Sequence, residues 1–264
     1  MTNSSRRLDL ARDLAREAGA LAREMRQTQG SGFVAVKGPQ DFVTAADQAV
    51  ETLLRERLLA AFPEDGFLGE EGGRQGKGDF TWVVDPIDGT TNYLRGLPEW
   101  GISIGCLYKE DLHLGVIHLP DLGRTAHAQR GEGAFLDTER LDLRKRPATD
   151  SRLGILGHSD RVSLKSHLDS IEGLLGGGFD YRRQGSACFG LLAVAAGWAD
   201  FYFEAHLNPW DAIAGLVLIL EAGGTVNHGA MQAFLEAGSP VLAAHPGLEN
   251  ATRDLLEGIA SRVR

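Results

Sequence analysis

The sequence predicts an α+β protein with a mostly antiparallel first half and an α/β second half. Three observations carry that expectation. Segments 81–84, 101–107, 112–118, 124–130 and 133–136 are short strand-like runs joined by short turns, the pattern of a mostly antiparallel set. After Pro147, strand candidates at 153–157, 200–203 and 241–244 alternate with helical patterns at about 160–175, 186–197, 209–222 and 247–261, which reads as a layered α/β unit. Residues 6–27 place Leu10, Leu14, Ala18, Leu21 and Met25 at a helical period, with charges on the opposite face. A boundary near residue 148 divides the chain into halves 1–148 and 149–264, and with no Ser- or Gly-rich linker there the halves are expected to share an interface.

Phe33–Val36 reads as a short strand, and Thr44 as the N-cap of a helix that runs to about Ala61 and ends at Phe62-Pro63. No internal repeat is visible. Gly176-Gly177-Gly178 reads as a loop, because no Walker lysine follows it, and Gly131-Glu132-Gly133 lacks the third glycine of a dinucleotide cradle.

With 264 residues and a hydrophobic fraction of 43%, the chain has the means for a sizeable core. Its net charge of −9 argues against a general nucleic-acid binder, which needs a basic footprint. Met1 to Met25 has no apolar stretch of the secretory kind. The longest uncharged run, Gln184 to Ala199, is sixteen residues with three glycines, too short for a membrane span and suited to a buried helix. Cys106 and Cys188 form no CxxC pair and read as free buried thiols, so a cytoplasmic location without a membrane partner is expected.

The most informative stretch is Trp82-Val-Val-Asp85-Pro86-Ile87-Asp88-Gly89-Thr90-Thr91-Asn92-Tyr93. A strand runs into two acids around a proline, then a glycine turn, then a helix start. Pro86 fixes φ and Gly89 permits the turn, so Asp85 and Asp88 are held close together. Carboxylates that close repel unless a cation lies between them. The N–H groups of Gly89, Thr90 and Thr91 open a helix and face outward, as anion sites do. A divalent metal beside a phosphate implies phosphoryl chemistry, although Asp-Pro and Asp-Gly are also common turn pairs.

Four further places add to this. Asp41-Phe-Val-Thr44-Ala-Ala-Asp47 precedes a helix, where an acid is also favoured by the dipole alone. Gly69-Glu70-Glu71-Gly72 reads as a turn, and by itself as an ordinary acidic one. Gly185-Ser186-Ala187 opens an apolar helix and permits close approach of a ligand. In Asn208-Pro209-Trp210-Asp211, Asn208 can cap, Pro209 suits the first helical position and Asp211 falls in the first turn, with Glu221-Ala-Gly-Gly224 closing the segment. Glu204, seven residues before Asp211, reads equally as an edge-strand surface acid. The eight histidines show no metal spacing, and no Ser-His-Asp or Cys-His pattern is present.

In this order, from about Asp41 to Gly224, the motifs resemble those of the inositol monophosphatase family of Mg²⁺-dependent phosphatases. The resemblance implies a layered α-β-α-β-α sandwich of the sugar-phosphatase kind, two or three Mg²⁺ ions per subunit, lithium sensitivity and a homodimer. It implies that Asp85 bridges two ions, that Glu70 and the Ile87 carbonyl serve the first, and that Asp88 and Asp211 serve the second. Asp47 and Thr90 would act on the attacking water, with Glu71 outside the ligand set and Asp41 bracing its loop. Asp88, Gly89, Thr90, Gly185, Ser186, Ala187 and Glu204 would meet the substrate. The expected activity is hydrolysis of a small polyol phosphate, first myo-inositol 1-phosphate. Histidinol phosphate, fructose 1,6-bisphosphate and nucleotide 3′-phosphates are alternatives, and a catalytically silent binding protein is the non-enzymatic one. Tyr93, Arg95 and Asn208-Pro209 depart from the family's commonest animal form and bear on substrate identity, not on the metal ligands.

Overall fold

The computed structural model describes residues 3–29, 34–38, 41–145 and 151–248. In chain order it forms α1 (Asn3–Gln29), β1 (Val34–Gly38), β2 (Asp41–Thr44), α2 (Ala45–Ala61), β3 (Gly66–Gly69), β4 (Gly73–Gln75), β5 (Phe80–Asp88), α3 (Thr90–Arg95) and β6 (Gly101–Tyr108). There follow β7 (Asp111–Leu119), β8 (Arg124–Gln129), β9 (Gly133–Leu136), β10 (Glu139–Leu141), β11 (Leu153–Leu156), α4 (Leu164–Gly176), β12 (Asp180–Arg182) and α5 (Ala187–Ala195). The chain continues through β13 (Phe201–Leu207), α6 (Pro209–Glu221), β14 (Thr225–Asn227), α7 (Met231–Ala237) and β15 (Ser239–Ala244).

An eight-stranded sheet has the order β10-β9-β8-β7-β6-β5-β3-β4, and only its β3–β5 pairing is parallel. A five-stranded sheet, β12-β11-β13-β15-β14, is parallel around β11 and antiparallel around β15. Side chains alternate across each strand, and this alternation builds the layers. On β5, Trp82 and Val84 face Leu14, Ala18, Val50 and Leu54 of α1 and α2, while Val83 faces the other way, toward α5 and α6. In the second sheet Ile155 and Tyr202 face α5 and α6, and Leu156 and Phe201 face Leu174 of α4. The layers therefore run α, β, α, β, α, as expected.

Two features set α6 against the first sheet. Gly105 and Gly115 are directly paired on β6 and β7. A Cβ on Gly105 would lie 2.6 Å from Ile213, and one on Gly115 would meet the Ala214 carbonyl, so the missing side chains let α6 rest on the strands. The α1 layer is tied down by Arg7, whose guanidinium bonds Asp65 at 2.7 and 2.9 Å, beneath the Trp82 indole N–H at 3.0 Å from the same carboxylate. All three side chains are buried, so this pair is fully hydrogen-bonded, as a buried ion pair must be.

Several expectations need adjusting. The strand at 81–84 does not stop before the acids. β5 runs on through Asp88, and its pairing with β6 slips between Asp85 and Asp88, where Pro86 has no N–H to give. β3, β4, β10, β12 and β14 have three or four residues each, too short to give a period in sequence. The helix at 247–261, the boundary at 148 and the side chains of Asp41 and Thr44 fall outside the described residues. No described helix is long and apolar enough to cross a membrane.

Candidate metal centre and active site

Asp85 lies on β5 just before its register slip, opposite Ser103 of β6. The Ser103 hydroxyl donates to the Trp210 carbonyl at 3.1 Å, which draws the first turn of α6 onto the sheet beside Asp85. Asp211 occupies the N3 position of α6, with Pro209 at the helix start. Its Oδ2 accepts the Asn208 backbone N–H and side-chain amide, each at 3.2 Å. Local helix capping and a tertiary serine bond thus bring the two aspartates together from opposite halves of the chain.

Asp88 completes the group. One oxygen from each of Asp85, Asp88 and Asp211 lies within 4.8 Å of the others. The Asp88 carboxylate reaches the N-terminus of α5, where it accepts the Ser186 hydroxyl at 3.1 Å, the Ala187 N–H at 3.2 Å and the Cys188 N–H. Ser186 is also the N-cap of α5, accepting the Phe189 N–H at 3.2 Å. The Ala187 amide is thus turned to a carboxylate.

Charge crowding is severe. Burial pushes the Asp85 carboxyl well up, and the charges of Glu70, Asp88 and Asp211 push it further. Asp88 is raised by burial, against the hydrogen bonds from α5 that pull it down. Asp211 is pushed up to about 7 by burial and by Asp88, although it keeps part of its surface open to the adjoining cavity. Three oxygen donors at this separation, raised together, suit a hard divalent cation such as Mg²⁺.

Around the triad, the Ile87 N–H donates to Asp85 Oδ1 at 3.0 Å, and the Ile87 carbonyl accepts the Thr90 hydroxyl at 3.2 Å. That carbonyl retains a second lone pair. Gly89, between them, adopts φ +90, open to glycine at little cost. A Cβ there would stand 3.0 Å from Ser186 and 3.2 Å from the Gly185 carbonyl, so the turn packs closely against the α5 entrance. Asn92 locks the same junction by donating to the Gln184 carbonyl at 2.7 Å. Glu70 sits in the β3–β4 turn, as expected, near enough for its charge to raise the Asp85 carboxyl but outside the triad. Asp47 falls in the first turn of α2, buried, with its charge felt at Tyr93 of α3.

A cavity of about 160 Å³ adjoins Asp88 and Asp211 and is lined also by Gly185, Ser186, Ala187 and Glu204. Glu204 is not a surface acid. β13 is the middle strand of its sheet, and burial pushes the Glu204 carboxyl up to about 8. The Tyr202 hydroxyl donates to it. On the same wall, Gln184 Oε1 and His158 Nδ1 are buried without a protein hydrogen bond.

Sequence reasoning missed four residues that shape this centre: Glu51, Asn92, Ser103 and Tyr202. A signal existed for Glu51, which interrupts the apolar stripe Val50, Leu54, Leu58 of α2. Ser103, Asn92 and Tyr202 act through contacts distant in sequence or across a strand face, and carry no local mark.

The acid cluster thus joins β5 to α6 within a layered α/β fold and opens on a polar cavity. The inositol monophosphatase family model matches residues 3–264. The inositol-1-monophosphatase of Rhizobium meliloti is 38% identical over 244 residues, covering 90% of this chain and 91% of that protein. The Nus factor SuhB of Escherichia coli is 36% identical over 226 residues, covering 83% and 84%. Among solved structures, the Thermotoga maritima IMPase aligns with a TM-score of 0.85 at 28% identity over 98% of this chain and 100% of that one. The chain belongs to the inositol monophosphatase family.

Proposed function

We propose that this protein is a Mg²⁺-dependent phosphomonoesterase acting on a small polyol phosphate, with myo-inositol 1-phosphate as the first candidate. One observation carries the reading: three crowded carboxylates from both halves of the chain meet beside a polar cavity whose wall also holds Gln184 Oε1 and His158 Nδ1, each without a protein hydrogen bond. Asp85, Asp88, Asp211, Glu70 and the Ile87 carbonyl would hold two ions, with room at Glu70 for a weaker third. Such ions supply Lewis acidity at phosphoryl oxygens and favour ionisation of water. Asp47 and Thr90 orient the attacking water, and Asp47 takes its proton. The Gly89 and Thr90 amides bind phosphoryl oxygens. Gly185, Ser186, Ala187 and Glu204 face the organic part of the substrate, where Gln184 Oε1 and His158 Nδ1 offer further partners for hydroxyls.

Two relatives differ in name, one an inositol-1-monophosphatase and the other a Nus factor, so a binding role is the second reading. A relative named fructose-1,6-bisphosphatase/inositol-1-monophosphatase, 35% identical, keeps fructose 1,6-bisphosphate among the substrates to test. Phosphate release from a panel of myo-inositol 1-phosphate, histidinol phosphate, fructose 1,6-bisphosphate and a nucleotide 3′-phosphate, with Mg²⁺ and with EDTA, separates the readings. No Mg²⁺-dependent release from any of them leaves the binding role. We also read residues 1–148 and 149–264 as halves of one unit that dimerises in a reducing cytoplasm. The two buried free cysteines support the compartment, and light scattering tests the dimer.

A further inference from the structure

Glu51 lies one helical turn after Asp47 on α2, and each is 1% exposed. Its carboxylate accepts two backbone N–H groups of the β3–β4 turn, that of Glu71 at Oε2 and that of Gly72 at Oε1, both at 2.7 Å. Arg55 stands 3.4 Å from the same group. The turn is built to admit this acid. A Cβ on Gly72 would stand 2.7 Å from Oε1, and one on Gly69 would run into Oε2. On its other side the turn is held by the Glu70 N–H, which donates to the carbonyl of Val84 at 3.3 Å. Val84 immediately precedes Asp85. Glu70 is therefore the crest of a turn clasped between α2 and β5.

A buried carboxylate is a costly way to close a short hairpin, because burial disfavours its charge unless every lone pair is used. The cost is understandable if what matters is where the turn's side chains stand. We propose that Glu51 is a positioning residue that holds Glu70 in register with Asp85, and so joins Asp47 and Glu70 through α2 into one preformed half of the metal centre. This rests on the reading of Glu70 as a metal ligand. Groups that hold ligands in place typically alter metal affinity by about 10- to 100-fold when changed. Glu51 would act in that way, through two charge-assisted bonds from the successive backbone N–H groups of Glu71 and Gly72.

The test is Mg²⁺ binding by titration calorimetry to the wild type, Glu51→Gln and Gly72→Ala, with melting in EDTA measured alongside. Glu51→Gln keeps one acceptor and turns an amide N–H₂ toward a backbone donor. Gly72→Ala presses on Oε1 from the other side and leaves the buried charge in place. We expect the Mg²⁺ dissociation constant to rise by about ten-fold or more in the first and several-fold in the second. Melting in EDTA should fall by no more than about ten degrees in Glu51→Gln, the cost of the one backbone bond lost, and the protein should stay folded at the titration temperature. Turnover at saturating Mg²⁺ should return to within about three-fold, because Glu51 touches neither substrate nor ion. Dissociation constants within two-fold of wild type in both variants overturn the proposal, as does a loss of affinity that only tracks a collapsed melting temperature. Should Glu51→Gln not fold, Gly72→Ala decides alone: weakened Mg²⁺ binding supports the proposal, and unchanged binding overturns it. A wild type that binds no Mg²⁺ sinks the metal reading itself, a failure distinct from that of Glu51.

Discussion

Asp85→Asn is expected to destroy activity and yet stabilise the metal-free protein above neutral pH. The wild-type triad holds its carboxylate oxygens within 4.8 Å, and at an effective dielectric of 20 each charged pair at that separation costs about 3 kcal/mol. The pKa route agrees. Asp211 rises from 3.8 to about 7, and three units amount to about 4 kcal/mol, although the three acids titrate as a unit and the energy belongs to the group. The sign follows from the raised values. A carboxyl raised by folding contributes stability below its unfolded pKa, and that stability is lost as pH climbs through the folded value, here between about 4 and 7. Asparagine removes one charge and keeps the oxygen that accepts the Ile87 N–H. In EDTA at pH 8 the variant should therefore be more stable by roughly 2–4 kcal/mol, or about 5–10 °C in melting temperature for a chain of this size. At pH 5, where wild type shares protons within the triad, the gap should shrink. Comparing the two proteins at each pH cancels the histidines, which pull the other way: burial lowers His127 to about 4, so it costs stability as pH falls below its unfolded value. The assay is differential scanning fluorimetry in EDTA at pH 5, 6, 7 and 8, with phosphate release in Mg²⁺. A variant that melts at or below wild type in EDTA at pH 8 would refute the repulsion on which the metal site rests.

Excess Mg²⁺ should raise the wild-type melting temperature by several degrees over EDTA at pH 8, since a ligand at about 100 times its dissociation constant adds roughly 2.7 kcal/mol; identical melts would count against a metal centre. Li⁺ should inhibit turnover at millimolar concentration, and matching LiCl and NaCl curves at fixed Mg²⁺ would remove the protein from the lithium-sensitive group. At pH 9, where the Glu204 carboxylate is charged, Glu204→Gln should lower kcat/KM for the true polyol phosphate by roughly ten-fold, the energy of a hydrogen bond to a charged group, while p-nitrophenyl phosphate is little affected; equal losses on both would move Glu204 into the catalytic machinery or the fold. Because Glu204 ionises only near pH 8, that ratio of substrates should also change between pH 7 and 9 in wild type and stay flat in the variant.

What could be read in the sequence was what is written locally. Asp85-Pro86-Ile87-Asp88-Gly89-Thr90 announces itself because proline and glycine dictate the backbone within a few residues. Asn208-Pro209-Trp210-Asp211 does the same through helix-start chemistry. The longer strands and helices followed from periods long enough to register, the layer order came only with the family resemblance, and β12, β14 and α7 escaped because three to seven residues give no period. What could not be read is the closure between distant segments. Asp88 looks like a turn residue until α5 arrives, 98 residues later, to meet it with the Ser186 hydroxyl. Ser103 is one polar residue in an apolar strand, and only the fold shows that it holds α6 by the Trp210 carbonyl. Glu51 stands out only as an acid within the apolar stripe of α2, and the sequence does not show that it closes the turn of Glu70 and Glu71. The same physics separates the two groups. Residues that would touch an ion need a stiff local backbone, which leaves a motif. The residues that fix the distance between those motifs need only a neighbour, and a neighbour leaves its trace in the packed chain.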